Sequence, residues 1–179
     1  MKSNSLQELY LEQLKDLYDG EQQITKALPK MIDKATSNNL KGALAEHLEV
    51  TKKQVTRLEQ IFNSLGEEAK GEKCKGIRGI LDEGDDLVGD IKDADVRDAG
   101  IIASAQRVEH YEMAGYGTAR TYAKLLNQEN ASQLLQQTLD EEKDADQTLT
   151  TLARQINVSV KTNKLVEGDK PLTKRSVAQ

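Results

Sequence analysis

The 179 residues contain no tryptophan, one phenylalanine, two prolines and one cysteine. A single cysteine, Cys74, excludes an intrachain disulfide and fits a reducing compartment. Few prolines, with Leu, Ala, Glu, Lys, Gln and Asp dominant, favour helix over sheet. No apolar run is long enough to span a bilayer, and Met1-Lys2-Ser3-Asn4-Ser5 leads directly into an amphipathic pattern without a signal-peptide core. The expectation is a cytoplasmic protein with no membrane association. A positive charge excess is also missing. The net charge is −5, with 31% of residues charged, and this argues against nucleic acid and anionic membrane as partners. The length suits a single domain with a sizeable core.

What is present is long helical periodicity. A first helix is expected from Ser5 to Ala35, with Leu6, Leu9, Leu17, Ile24, Leu28, Met31 and Ile32 on one stripe and Glu21 within it. Ser5 followed by Glu8 reads as a capping box, and Pro29 predicts a bend near Thr25. After the polar link Thr36-Ser37-Asn38-Asn39, a second helix should run to Leu65 and stop at Gly66. His47 is central on its stripe. A charged, Gly-rich loop follows, then a weaker pattern from Gly76 to Ile91 that reads as a short helix lying across the bundle, with the acidic stretch Asp82 to Asp98 as its solvated face. A third long helix spans Val96 to Leu126. A fourth runs from the link at Asn127 to Ile156, and beyond it a polar, basic tail, 158–179, should be flexible.

Two long helices, a long crossover, then two more long helices give an all-α, four-helix bundle over 1–157. Short links make the first and second, and the third and fourth, antiparallel, and the crossover lets the second and third run parallel. That is ferritin-like connectivity.

The informative feature is polar. Glu109 and Glu112 form a Glu-x-x-Glu pair on the same side of their helix as Ile101 and Ala123. Glu21, His47, Glu142 and Asp146 also face inward on their own stripes. Five carboxylates and an imidazole would then meet near mid-bundle, and among the basic residues only Arg120 reaches an edge of the core face. A buried ion must be paired or bound to a metal. Uncompensated acids at one level would exceed the ~5–15 kcal/mol that holds a domain together. Two divalent cations would offset them. Carboxylates with an imidazole and open coordination positions suit Fe, or Mn, better than a closed Zn site. The recurring di-metal pattern, a Glu from each of two helices with i, i+3 pairs from the others, is met imperfectly: no inward Glu precedes His47 by three, and Asp146 follows Glu142 by four.

The stretches Leu17-Tyr18-Asp19-Gly20-Glu21-Gln22-Gln23, Glu46-His47-Leu48-Glu49-Val50-Thr51, Arg107-Val108-Glu109-His110-Tyr111-Glu112, Tyr116-Gly117-Thr118 and Thr138-Leu139-Asp140-Glu141-Glu142-Lys143 resemble the bacterial YciE/YciF family of ferritin-like proteins. The resemblance covers residues 5 to 157. It implies an antiparallel ferritin-like bundle, a homodimer, a di-iron-type site and a role in bacterial stress responses. On matching positions it implies metal ligation by Glu21, Glu109, Glu112 and Glu142, then Asp146 and His47. The expected function is oxidation of Fe(II) with consumption of oxygen or peroxide; the alternative is a non-enzymatic stress or assembly protein whose metal site is structural or vacant. No catalytic residue is assigned. His110 should be a surface or interface histidine, Tyr116 a core tyrosine bonded to a carboxylate, and Thr51 and Gln54 supporting groups beside the site. Cys74 lacks the neighbours that catalysis needs.

Overall fold

A computed structural model describes residues 4–71 and 73–168. It holds five helices: α1 (Leu6–Lys34), α2 (Asn38–Leu65), α3 (Lys75–Asp90), α4 (Ala94–Leu125) and α5 (Glu129–Gly168). No strand occurs among the described residues.

The ends follow local chemistry. The Ser5 hydroxyl accepts the Glu8 N–H at 3.2 Å, while the Glu8 carboxylate takes the Asn4 N–H at 2.6 Å, one residue earlier than a capping box would place it. The helix runs unbroken through Pro29, and the Thr25 hydroxyl turns back to the Glu21 carbonyl at 2.9 Å. Ser37 caps α2, and Gly66 ends it with φ of 70°, a left-handed conformation that glycine adopts without strain. Cys74 caps α3 with its thiol. Gly76 removes a side chain where one would collide with the Tyr111 ring, so α3 can lie directly on α4.

Cross-helix contacts define the arrangement. Tyr18 of α1 meets Glu59 of α2, Gln54 of α2 meets Glu142 of α5, Gln106 of α4 meets Asp146 of α5, and Tyr111 of α4 meets Asp16 of α1. Short links make α1 and α2, and α4 and α5, antiparallel. Gln54 meets Glu142 while Arg57 meets Thr138, and Arg97 meets Lys34 while Tyr116 meets Glu21, so α2 and α5, and α4 and α1, are antiparallel too, in the cyclic order α1, α2, α5, α4. The diagonal helices α2 and α4 therefore run parallel. The crossover makes this possible, and α3 covers α1 and α4.

The apolar interior has two parts. One gathers Tyr10, Leu14, Leu17, Leu58, Phe62, Tyr116, Leu135 and Leu139. The other gathers Ile24, Leu28, Leu44, Ile77, Ile101, Ile102, Val108 and Leu149. Burying one such side chain is worth about 1.5–3 kcal/mol. Between the two parts, each long helix changes from apolar to polar over one or two turns. That polar layer carries the candidate site.

Three expectations are corrected. Tyr10 and Leu14 are fully buried at the start of α1, where Leu6 and Leu9 are only partly so. The fourth long helix continues past Ile156 to Gly168, and residues 169–179 of the expected tail lie outside the described residues. Asp98 is not part of a solvated acidic face. It is 2% exposed, and its two carboxylate oxygens accept the Thr36 and Ser37 N–H groups, each at 2.7 Å. It ties the start of α4 to the α1–α2 link, where those N–H groups have no helical partner. Replacing Asp98 by Ala removes two charge-assisted hydrogen bonds at a half-buried link, and should destabilise the protein by about 1–3 kcal/mol in a urea titration.

Candidate metal centre

Each long helix supplies one step of the polar layer. On α1, Glu21 sits one turn from Leu17 and Ile24 and is 0% exposed. On α4, Glu109 and Glu112 lie one turn apart between Val108 and Tyr116. On α5, Glu142 follows Leu139, and on α2 His47, Thr51 and Gln54 occupy successive turns between Leu44 and Leu58. Helical spacing turns these groups inward, and the packing of the apolar residues on either side gathers them into one layer.

Four of them converge. One side-chain ligand atom from each of His47, Glu109, Glu112 and Glu142 lies within 4.8 Å of all the others. His47 Nε2 is 3.4 Å from Glu109 Oε1. Burial lowers the His47 pKa to about 4, so the ring is neutral at physiological pH and the contact is not an ion pair. Glu21 lies beside the four: it accepts a short hydrogen bond from the Tyr116 hydroxyl and shares another with Glu112. Asp146 does not join them. Its carboxylate is 24% exposed, takes the Gln106 amide at 2.9 Å, and faces His110 at 3.5 Å. A residue four positions from Glu142 is about 6 Å further along the axis and ~40° round it, enough to carry Asp146 to the α4–α5 edge.

The electrostatics are severe. Burial, then the Glu142 charge, hold Glu21 and Glu109 well above the usual carboxylate range. Burial and then Glu21 do the same to Glu112. Burial pushes Glu142 up to about 7, against the opposing hydrogen bonds from Glu109 and Gln54. Glu21 Oε2, Glu109 Oε2, Glu142 Oε2 and His47 Nε2 are buried without a hydrogen-bond partner. Orphaned buried acceptors are costly in a native protein. Glu109, Glu142 and His47 are also among the residues whose ligand atoms converge, and carboxylate oxygens with one imidazole nitrogen are a donor set that fits a divalent cation of the Fe or Mn kind.

The surroundings hold these donors in place. Gln54 Nε2 reaches Glu142 Oε1 at 2.5 Å, and the buried Thr51 hydroxyl bonds the His47 carbonyl at 2.9 Å. Tyr116 is 0% exposed, and its hydroxyl is committed to Glu21. His110 is 68% exposed, a surface histidine as expected. The sequence reading missed Arg57. It is 8% exposed, donates to Thr138 at 2.6 Å, and grips Glu141 through two bonds of 2.9 Å. Burial pushes Glu141 up, but the Arg57 guanidinium and Gln137 outweigh it and hold the group low. Arg57 is thus neutralised by Glu141. No ion pair between a Lys or Arg and the four converging groups or Glu21 occurs among the described residues.

Fold and site together define a helical-bundle protein with a carboxylate–histidine cluster buried at its middle. The chain belongs to the family described as "Domain of unknown function (DUF892)", whose model matches residues 5–161. It is 38% identical over 154 residues to Protein YciF of Escherichia coli (strain K12), covering 86% of this chain and 93% of that one. The crystal structure of the E. coli stress protein YciF superposes with a TM-score of 0.83 at 37% identity, over 86% of this chain and 98% of that one. YcfI from Rhodopseudomonas palustris superposes with a TM-score of 0.81 at 45% identity, over 84% and 98%. A Xanthomonas campestris protein at 16% identity shares the fold, with a TM-score of 0.72 over 90% and 99%. No helix among the described residues is long and apolar enough to cross a membrane.

Proposed function

We propose that this is a ferritin-like di-metal carboxylate protein that binds Fe(II), or Mn(II), and oxidises Fe(II) at the expense of oxygen or peroxide. The observation that carries the reading is the set of orphaned acceptors on Glu21, Glu109, Glu142 and His47, buried with no Lys or Arg ion-paired to any of them among the described residues. His47, Glu109, Glu112 and Glu142 would hold one ion. Glu21 with Glu112 would hold the second, so Glu112 borders both. Bound Fe(II) would supply electrons to the oxidant. The protein's own share is to desolvate the ions, keep Glu21 in place through Tyr116 and Glu142 through Gln54, and release carboxyl protons as cations load.

Elemental analysis of protein purified without chelator should give about two Fe or Mn per chain. Fe(II) added to stripped protein should oxidise faster than in buffer, followed by Fe(III) absorbance under oxygen and then with peroxide. A Glu112→Gln, Glu142→Gln double variant, which removes the carboxylate bordering both ions, should bind neither ion while keeping its helical spectrum. Protein that never carries metal and melts identically with and without chelator would refute the reading.

A second reading rests on the contacts between Glu21 and Glu112 and between Glu109 and Glu142. Carboxyls that share protons can remain buried without any cation. The site would then be structural or vacant, and the chain a non-enzymatic stress or assembly protein. Bound metal without turnover, or no metal at all, selects this reading.

A further inference from the structure

Two cavities reach the buried cluster from different sides. The first, about 260 Å³, opens between α2 and α5 and has His47 and Glu109 at its inner end. The second, about 40 Å³, lies beneath α3 among apolar residues of α1 and α4, and also ends at His47 and Glu109. That pair of side chains is therefore a partition between an acid-lined cleft and an apolar pocket.

The acid-lined cleft has a gradient along it. Glu46 and Asp144 are exposed at its mouth, Glu141 and Thr148 line it, and Glu109 at its inner end is 3% exposed. No Lys or Arg lines it among the described residues. Glu141 is held by Arg57, which leaves Glu46 and Asp144 as the free negative charges. Glu109 Oε2, which has no hydrogen-bond partner, belongs to the same wall. A hydrated cation meets exposed carboxylates first and an unpartnered buried carboxylate last. The apolar pocket offers a cation nothing in exchange for its water.

We propose that the α2–α5 cleft is the entry port through which divalent cations reach the cluster, and that Glu46 and Asp144 draw them in without being final ligands. This rests on the metal-binding reading above and adds the route to it. A charged mouth accelerates encounter, and the acceleration fades as salt screens it.

The test is stopped-flow uptake of Co(II) by stripped protein, read by visible absorption, with stoichiometry taken at equilibrium. The Glu46→Gln, Asp144→Asn variant should load about tenfold more slowly at low ionic strength. The difference should shrink at high salt, and the final Co(II) content should be unchanged. An Asp86→Asn, Asp90→Asn variant, which removes the same charge from exposed positions on α3, should load at the original rate. Equal rates in all three proteins, or equal slowing in both variants, would overturn the port. A lower final Co(II) content in the mouth variant would also overturn it, because the two residues would then be ligands. Unaltered protein that takes up no Co(II) at equilibrium would refute the metal-binding reading itself, and the port with it.

Discussion

Raising the pH from about 6.5 to about 8 should destabilise chelator-treated protein, by about 1.4 kcal/mol per pH unit for each buried carboxyl that is still protonated. The sign follows from the direction of the shifts. Burial pushes Glu142 from 4.5 to about 7, and holds Glu21, Glu109 and Glu112 well above their ordinary range. A carboxyl whose pKa is higher folded than unfolded keeps its proton in the folded state after the unfolded chain has lost it. Stability is thus fully present below the unfolded value and declines as pH climbs through the folded one. For Glu142 alone the whole decline is about 3 kcal/mol. His47 acts in the opposite sense. Burial lowers it to about 4, so its contribution is present above about 6.5 and is lost as pH falls toward 4. Above about 6.5 the imidazole is neutral in both states, and the carboxyls alone set the slope. The metal-loaded protein should not show the decline, because a cation replaces the protons and binds more tightly as they leave. Metal at a hundred times its dissociation constant should add about 2.7 kcal/mol. Melting curves of stripped and loaded protein at several pH values decide it. A stripped protein whose melting temperature is level or rises over this interval would contradict the buried acids.

The length and order of the helices were legible because their stops are local. Ser5, Ser37, Gly66 and the link near Asn127 each end or begin a helix through their own backbone chemistry, and no tertiary contact is needed to read them. Glu21, Glu109, Glu112 and Glu142 were legible as inward acids because each sits inside an apolar stripe. Relations across helices were not. Pairing His47 only with its antiparallel neighbour α1 sets it about a turn and a half from Glu21, ~9 Å along the axis. In the folded chain it reaches across the diagonal to Glu109 on α4. Arg57 was overlooked for a related reason. A helix with two neighbours buries a wider arc than one stripe, and Arg57, with Gln54 one turn before it, lies on the edge of that arc turned toward α5. Asp146 misled in the reverse direction: it shares the broad inward arc of Glu142, but ~40° round the axis and about 6 Å further along it the side chain reaches the α4–α5 edge, where it takes the Gln106 amide. The buried role of Asp98 had no local signal, since its partners Thr36 and Ser37 lie on a link more than sixty positions away in the chain.

Arg57→Met should destabilise the stripped protein by about 3 kcal/mol, at the lower end of what removing one partner of a buried ion pair costs. The lower end applies because Glu141, at 26% exposed, can recover some water when the guanidinium is gone. Thr138 also loses a donor at 2.6 Å. The positive charge has a second consequence. Arg57 lowers the pKa of both Glu21 and Glu142, so its removal should raise those values and strengthen the fall in stability with pH. Combining Arg57→Met with Glu141→Leu removes both ends of the pair, and should recover most of the loss, since two apolar side chains can fill the space without an unpaired charge. Metal affinity should move the other way from stability. A buried cation beside a cation site repels the incoming ion, so Arg57→Met should bind Co(II) more tightly than the unaltered protein even as its stripped form unfolds more easily. An Arg57 that acts only as packing would lower stability without changing Co(II) affinity or the pH slope. Urea titrations of the two single variants and the double variant, with Co(II) isotherms on each, separate the two roles.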